Sequence, residues 1–202
     1  MTEIKVIDNF MPEETARAAT DFLQSTTGYH NGETWCRYKP DLEESIFYRI
    51  DSRAHHHSGV DGIHRPCLNK ECYICWINDI YTNEEMIKRV SELSGIELTT
   101  CVTHFISWYD TNQYLTPHTD LGGNDGRKVA LLPYFVNEWE PAWGGLLHFT
   151  KDHKEITETV VPAFNRAAII DLGQFGYTHW VTQVRENLPT DQKRIAMTIW
   201  FS

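Results

Sequence analysis

His118-Thr119-Asp120, followed at a distance by His179 and then Arg194, gathers the residues of this chain best suited to chemistry. In an extended strand, residues i and i+2 point to the same face. His118 and Asp120 therefore present an imidazole and a carboxylate side by side. One more imidazole, from His179, completes a two-histidine, one-carboxylate face that leaves other coordination positions open. Such a ligand set suits a non-haem Fe(II) centre that activates oxygen. Arg194 opens the strand-like run that ends in Thr198-Ile199-Trp200-Phe201. A permanently charged fork on a rigid strand is a good anchor for a second carboxylate, such as the far end of a bound keto acid.

A short polar triplet carries weight only in its setting. Here the triplet follows a strand-like run from Cys101 to Tyr109 and precedes Asn124-Asp125-Gly126-Arg127, a strong hairpin signal. A second run spans Lys128 to Asn137, a third Trp143 to Phe149, and His179 stands in the alternating stretch from Tyr177 to Val184. Closely spaced strands without intervening helices predict a sandwich or barrel. Upstream, the sequence predicts a strand near Ile4 to Ile7 and a helix from about Pro12 to Gln24, with Glu13 and Glu14 complementing its dipole. A polar stretch then runs to Glu44. Ser45 to Ile50 and Tyr73 to Ile77 read as strands from their aromatic and β-branched content. A second helix is expected from Glu84 to Leu93, capped by Asn83 and stopped by Gly95.

With these motifs in order, the chain resembles the Fe(II)/2-oxoglutarate-dependent dioxygenases, and most of all their prolyl 4-hydroxylase-like branch. The matching residues run from about Thr103 to Phe201, about half the chain. They are Tyr109, His118-Thr119-Asp120, Asp125-Gly126-Arg127, Tyr134-Phe135-Val136-Asn137-Glu138-Trp139 and Gly144-Gly145, then Val161 to Arg166, His179-Trp180-Val181, and Arg194 through Thr198 to Trp200. The run from Ile4 to Met11 is similar, more weakly, to the entry strand of such enzymes.

The resemblance implies a mostly β fold, a double-stranded β-helix or jelly roll with N-terminal helices packed on one sheet. It implies a single domain over residues 1–202, with residues 1–98 as an α/β support and loop region and residues 99–202 as the catalytic core. His118, Asp120 and His179 would bind Fe(II), and 2-oxoglutarate and O2 would take the remaining positions, with ascorbate a candidate reductant. Arg194 would pair with the distal carboxylate of 2-oxoglutarate, assisted by Thr198 and Tyr109. Trp200 and Arg127 would face the substrate. Succinate and CO2 would leave as co-products of a hydroxylation. Halogenating relatives carry a small residue where Asp120 stands, so hydroxylation is favoured. Phe135 stands where some prolyl hydroxylases have a second tyrosine reaching the cosubstrate, so the anchor is expected to lean on Arg194. The expected substrate is a prolyl residue in a peptide or protein; the alternative is a free amino acid or other small metabolite.

Composition bounds the other readings. The 202 residues are 41% hydrophobic and 12% aromatic, a globular composition with a sizeable core. A net charge of −10 lacks the broad basic footprint of nucleic-acid binders, which disfavours nucleobase demethylation. No apolar stretch approaches the roughly 18 to 20 residues that span a membrane, and the first residues lack signal-peptide character, so a soluble, cytoplasmic protein is expected. A non-enzymatic jelly-roll binding module would be expected to lack a ligand or the anchor, and this chain has all four residues. The oligomeric state is left open.

Five cysteines without a secretion signal read as reduced thiols. His64, Cys67, Cys72 and Cys75 could form a tetrahedral zinc set, or be thiols with Cys75 and Cys72 packed in a strand. The loop from Asp51 to Glu71, which contains His55-His56-His57, is either a solvated loop or a lid over the site. His104 and His148 alternate with apolar neighbours and read as strand histidines, with His153 a further candidate.

Overall fold

The computed structural model describes residues 4–25, 72–120, 126–151, 154–173 and 178–202, together with the backbone of residues 29–30, 33–34, 36–38 and 47–51. The elements run β1 (Ile4–Ile7), α1 (Glu13–Ser25), β2 (Tyr29–His30), β3 (Glu33–Thr34), β4 (Cys36–Tyr38), β5 (Phe47–Asp51), α2 (Tyr73–Thr82) and α3 (Glu84–Ser94). They continue with β6 (Cys101–Tyr109), β7 (Leu115–His118), β8 (Val129–Pro133), β9 (Leu147–Thr150), β10 (Glu158–Val160), β11 (Ala167–Asp171), β12 (Thr178–Val181) and β13 (Arg194–Phe201). Seven strands form one antiparallel sheet in the order β1-β11-β8-β13-β6-β5-β4, and four form a second in the order β10-β9-β12-β7. Two facing antiparallel sheets with helices on one outer face make the expected double-stranded β-helix.

The central strands β11, β8 and β13 of the larger sheet are buried on both faces, so they read as continuous apolar runs rather than alternating ones. In β8, Val129 and Leu131 join the core beneath the helices, whereas Ala130 and Leu132 face the smaller sheet. In β13, Ile195, Met197, Ile199 and Phe201 take the helix side. The opposite face of β13 carries Arg194, Ala196, Thr198 and Trp200, by the period of two. Thus the strand that binds the two cores together points one row of side chains into the space between the sheets.

The helices cover the other face. α1 buries Ala16, Ala19, Thr20 and Leu23, the spacing of one helical stripe. α3 begins at Asn83, whose side chain accepts the Met86 N–H at 2.9 Å, and ends at Gly95 with φ +75°, as the sequence predicts.

Three expectations are corrected. Tyr73 to Ile77 is not a strand but the start of α2, capped by Cys72, whose sulfur accepts the Cys75 N–H. Its aromatic and β-branched content misleads, but Ile74, Ile77, Asn78 and Tyr81 are buried at helical spacing. Cys72 and Cys75 therefore sit at and in a helix rather than in a strand. The polar stretch before Glu44 contains β4, which pairs with β5 and extends the larger sheet. Finally, β7 and β8, the strands on either side of the Asn124 to Arg127 sequence, do not pair as a hairpin. β7 belongs to the smaller sheet and β8 to the larger. His64, Cys67, His55-His56-His57, His153 and the rest of the loop beyond Asp51 lie outside the described residues. No helix among the described residues is long and apolar enough to cross a membrane.

Candidate active site

His118 ends β7 and His179 lies in β12, and the register of the two strands sets them directly opposite one another. Opposed residues of an antiparallel pair project to the same face, which brings the two imidazole rings to 4.3 Å between centroids. Asp120 follows two residues after His118. Its Oδ1 lies 3.7 Å from His118 Nε2 and its Oδ2 lies 3.7 Å from His179 Nε2. One ligand atom from each of the three residues falls within 4.8 Å of the others, a set that could hold a metal ion.

The tautomers suit that use. His118 Nδ1 is 2.9 Å from the Thr116 carbonyl. A carbonyl can only accept, so Nδ1 carries the proton and Nε2 turns its lone pair to the cluster. Burial lowers the His179 pKa to about 4, against the opposing pull of the Asp120 charge, so this imidazole is neutral at physiological pH. A carboxylate and two imidazole nitrogens are the donor set a divalent cation requires.

Arg194, the register partner of Tyr109 in the β6–β13 pair, is 2% exposed. Its Nε donates to the Gly145 carbonyl at 2.9 Å. The guanidinium carbon lies 4.8 Å from the Tyr109 ring centroid and 5.4 Å from that of Tyr134. Gly145 has φ +65°, and a Cβ there would stand 3.2 Å from Arg194 Cγ. A glycine is needed where the backbone must bend this way and meet the arginine stem. Thr198 is half-buried on the same inward row.

Two residues around Arg194 were missed in the sequence. Tyr134 is buried and its hydroxyl has no hydrogen-bond partner among the described residues. Burial raises its pKa, so the hydroxyl keeps its proton and can donate. Phe135, at the position where the resemblance places a second tyrosine, packs beneath the helices instead. The tyrosine beside Arg194 is thus one position earlier, and the parity of Ala130 and Leu132 in β8, continued by Tyr134 just beyond its end, was the signal that could have found it. The second is Gln24 of α1. Its Nε2 donates to the Phe135 carbonyl at 2.6 Å and the Lys193 carbonyl at 2.8 Å, and its Oε1 accepts the Lys193 N–H at 3.0 Å. Just before the point where β8 and β13 part, Phe135 N–H donates to Ile195. The Gln24 amide bridges the two strands beyond it. It thereby fixes the backbone on either side of the anchor pair, Tyr134 and Arg194. A glutamine near a helix end carries no sequence signal of this role.

Trp200 sits at the far end of the inward row from Arg194. Its indole Nε1–H donates to Asp120 Oδ2 at 3.1 Å, and the Arg127 guanidinium carbon lies 4.3 Å from its ring centroid. His104 and His148 stand apart from the cluster. His104 lies 3.6 Å from the Cys101 sulfur, and His148 Nδ1 lies 2.7 Å from Thr159 Oγ1.

Known proteins share both the sequence pattern and the architecture. The chain is 26% identical over 117 residues to the prolyl 3-hydroxylase OGFOD1 of Mus musculus, a match that covers 55% of this chain and 20% of that protein. It superposes with a TM-score of 0.62 and 16% identity on a prolyl hydroxylase from Trichoplax adhaerens in complex with a hypoxia inducible factor oxygen degradation domain peptide fragment, covering 100% of this chain and 84% of that one. A prolyl-4-hydroxylase from Pseudomonas putida gives a TM-score of 0.62 at 15% identity, with 98% of this chain and 91% of that chain covered. At such identities these structures establish the shared fold. Residues 104–202 match the 2OG-Fe(II) oxygenase superfamily, and that stretch contains the His118, Asp120 and His179 cluster and Arg194. The chain belongs to the 2OG-Fe(II) oxygenase superfamily.

Proposed function

We propose that this protein is an Fe(II)- and 2-oxoglutarate-dependent dioxygenase that hydroxylates a C–H bond, its substrate being a prolyl residue in a peptide or protein. The observation that carries the reading is the convergence of His118, Asp120 and His179 within 4.8 Å. These three would hold the metal. Fe(II) with 2-oxoglutarate and O2 supplies oxidative decarboxylation to succinate and CO2, coupled to oxygen insertion into the substrate.

The chain's own residues bind and orient. Thr116 holds the His118 ring in the tautomer that offers Nε2, and burial keeps His179 unprotonated. Arg194 would take the distal carboxylate of 2-oxoglutarate, because a buried guanidinium with its Nε already spent on Gly145 has its terminal N–H groups to offer. The Tyr134 hydroxyl, buried without a partner, would add a donor there, with Thr198 and Tyr109 beside it. The walls between the sheets, among them Leu132, Leu147 and Phe149, are apolar and keep water from the reacting groups.

The prolyl assignment is supported by the shared fold with prolyl hydroxylases and by Trp200 and Arg127 at the Asp120 end of the row. Aromatic faces suit a proline ring. The test is mass spectrometry after incubation with Fe(II), 2-oxoglutarate, O2 and ascorbate. Proline-containing peptides should gain one oxygen and speed succinate formation. Stimulation by free amino acids, with none by any proline-containing peptide, would replace the peptide with a small metabolite.

A further inference from the structure

We infer that Trp200 is a positioning residue for Asp120: its indole N–H holds one carboxylate oxygen so that the other is presented to the metal. The inference rests on the metal centre proposed above and adds a residue to it.

The two histidines are fixed by their surroundings. Both lie in paired strands, and His118 is held further by the Thr116 carbonyl. Asp120 is placed differently. It lies two residues beyond the end of β7, outside any strand ladder. Among the described residues, the one hydrogen-bond donor to its carboxylate is Trp200 Nε1, at 3.1 Å from Oδ2. A carboxylate on a short side chain can turn about its last torsion and ligate through one oxygen or both. Each oxygen lies 3.7 Å from one histidine Nε2, Oδ1 from His118 and Oδ2 from His179, but Oδ2 is engaged by the indole and Oδ1 keeps its lone pairs for a metal. One oxygen per residue keeps the protein's share at three ligands and the remaining positions open.

The indole is itself held. Trp200 is 8% exposed, its ring lies 5.6 Å from that of Phe105, and the Arg127 guanidinium sits 4.3 Å from its centroid. An N–H on a packed ring has little freedom to leave its acceptor. It is also an uncharged donor, so it orients the carboxylate without neutralising the charge that a cation needs.

The experiment is Mn(II) binding by Trp200→Phe, followed through the electron paramagnetic resonance signal of free Mn(II). Phenylalanine keeps an aromatic ring in the packing and deletes the donor. Partners that orient a metal ligand are typically worth 10- to 100-fold in affinity, so the variant should bind Mn(II) at least about tenfold more weakly. Its metal-free melting temperature should stay within a few degrees of the wild type. A merely structural role would instead lower the melting temperature and leave the affinity of the folded protein unchanged. Equal Mn(II) affinity in the two folded proteins overturns the inference and leaves the metal centre standing. Absence of Mn(II) binding by the wild type overturns the centre itself. Should Trp200→Phe fail to fold, the wild-type indole spectrum decides. The 15N-labelled indole N–H that Mn(II) broadens most should be downfield and slow to exchange in the metal-free protein. A solvent-like, freely exchanging resonance there overturns the inference.

Discussion

Tyr134, just beyond the end of β8, faces Arg194 with 5.4 Å between its ring centroid and the guanidinium carbon, and its buried hydroxyl has no partner among the described residues. An unsatisfied buried donor costs about 1–3 kcal/mol. That cost is offset if the hydroxyl meets a ligand carboxylate. Tyr134→Phe should therefore weaken 2-oxoglutarate binding by about 1.5 kcal/mol, the low end for a hydrogen bond to a charged group. The metal-free protein should be as stable as the wild type or more so, since the removed group is the unsatisfied one. Isothermal titration and thermal melting check the two halves; unchanged affinity would remove Tyr134 from the anchor.

Arg194→Ala should cost more, about 1.5–3 kcal/mol of 2-oxoglutarate affinity. Arg194→Lys should restore only part, because the planar fork is lost. Titration of Mn(II)-loaded protein measures both. Wild-type affinity in Arg194→Ala would place the cosubstrate carboxylate elsewhere.

The chemistry of this site was more legible in the sequence than its support. His118, Asp120, His179 and Arg194 could be chosen from residue type and spacing, although the strand expected under His118-Thr119-Asp120 ends at His118 and Asp120 lies just beyond it. The two outer helices were legible for similar reasons: Asn83 and Gly95 are local signals of where a helix starts and stops. α2 was not, because composition and period disagreed over Tyr73 to Ile77 and the period won. The Asn124 to Arg127 segment holds turn residues, but a turn sequence does not say whether the strands it joins lie in one sheet or two. The contacts of Gln24 with Lys193 and of Trp200 with Asp120 join residues 169 and 80 positions apart. No local pattern encodes such pairs.

Gln24→Ala should lower stability by about 1–3 kcal/mol, because the Phe135 and Lys193 backbone groups lose their partner. It should also weaken 2-oxoglutarate binding, since those groups flank Tyr134 and Arg194. Thermal melting and titration are the measurements. A loss of stability with unchanged cosubstrate affinity would make Gln24 a fold residue alone.

Burial of His179 has a signature in acid. Its folded pKa is about 4, below the ordinary value of 6.5. Between those values the unfolded chain binds a proton that the folded chain does not. The stability of the metal-free protein should therefore fall as pH drops from 6.5 towards 4, by about 3 kcal/mol at the acid end from this group. Above 6.5 this group should contribute no pH dependence. Urea unfolding of wild type and His179→Phe at pH 7 and pH 4.5 isolates the effect, and an equal fall in both would contradict it.

The most direct test of the whole account is succinate formation from 2-oxoglutarate, measured by mass spectrometry with Fe(II), O2, ascorbate and a pool of proline-containing peptides. The wild type should form succinate while a peptide gains one oxygen. Asp120→Ala and His179→Ala should lose both products, because each removes a ligand atom. Succinate and oxygenated peptide at the wild-type rate from the double variant would contradict the assignment of His118, Asp120 and His179 as the metal centre.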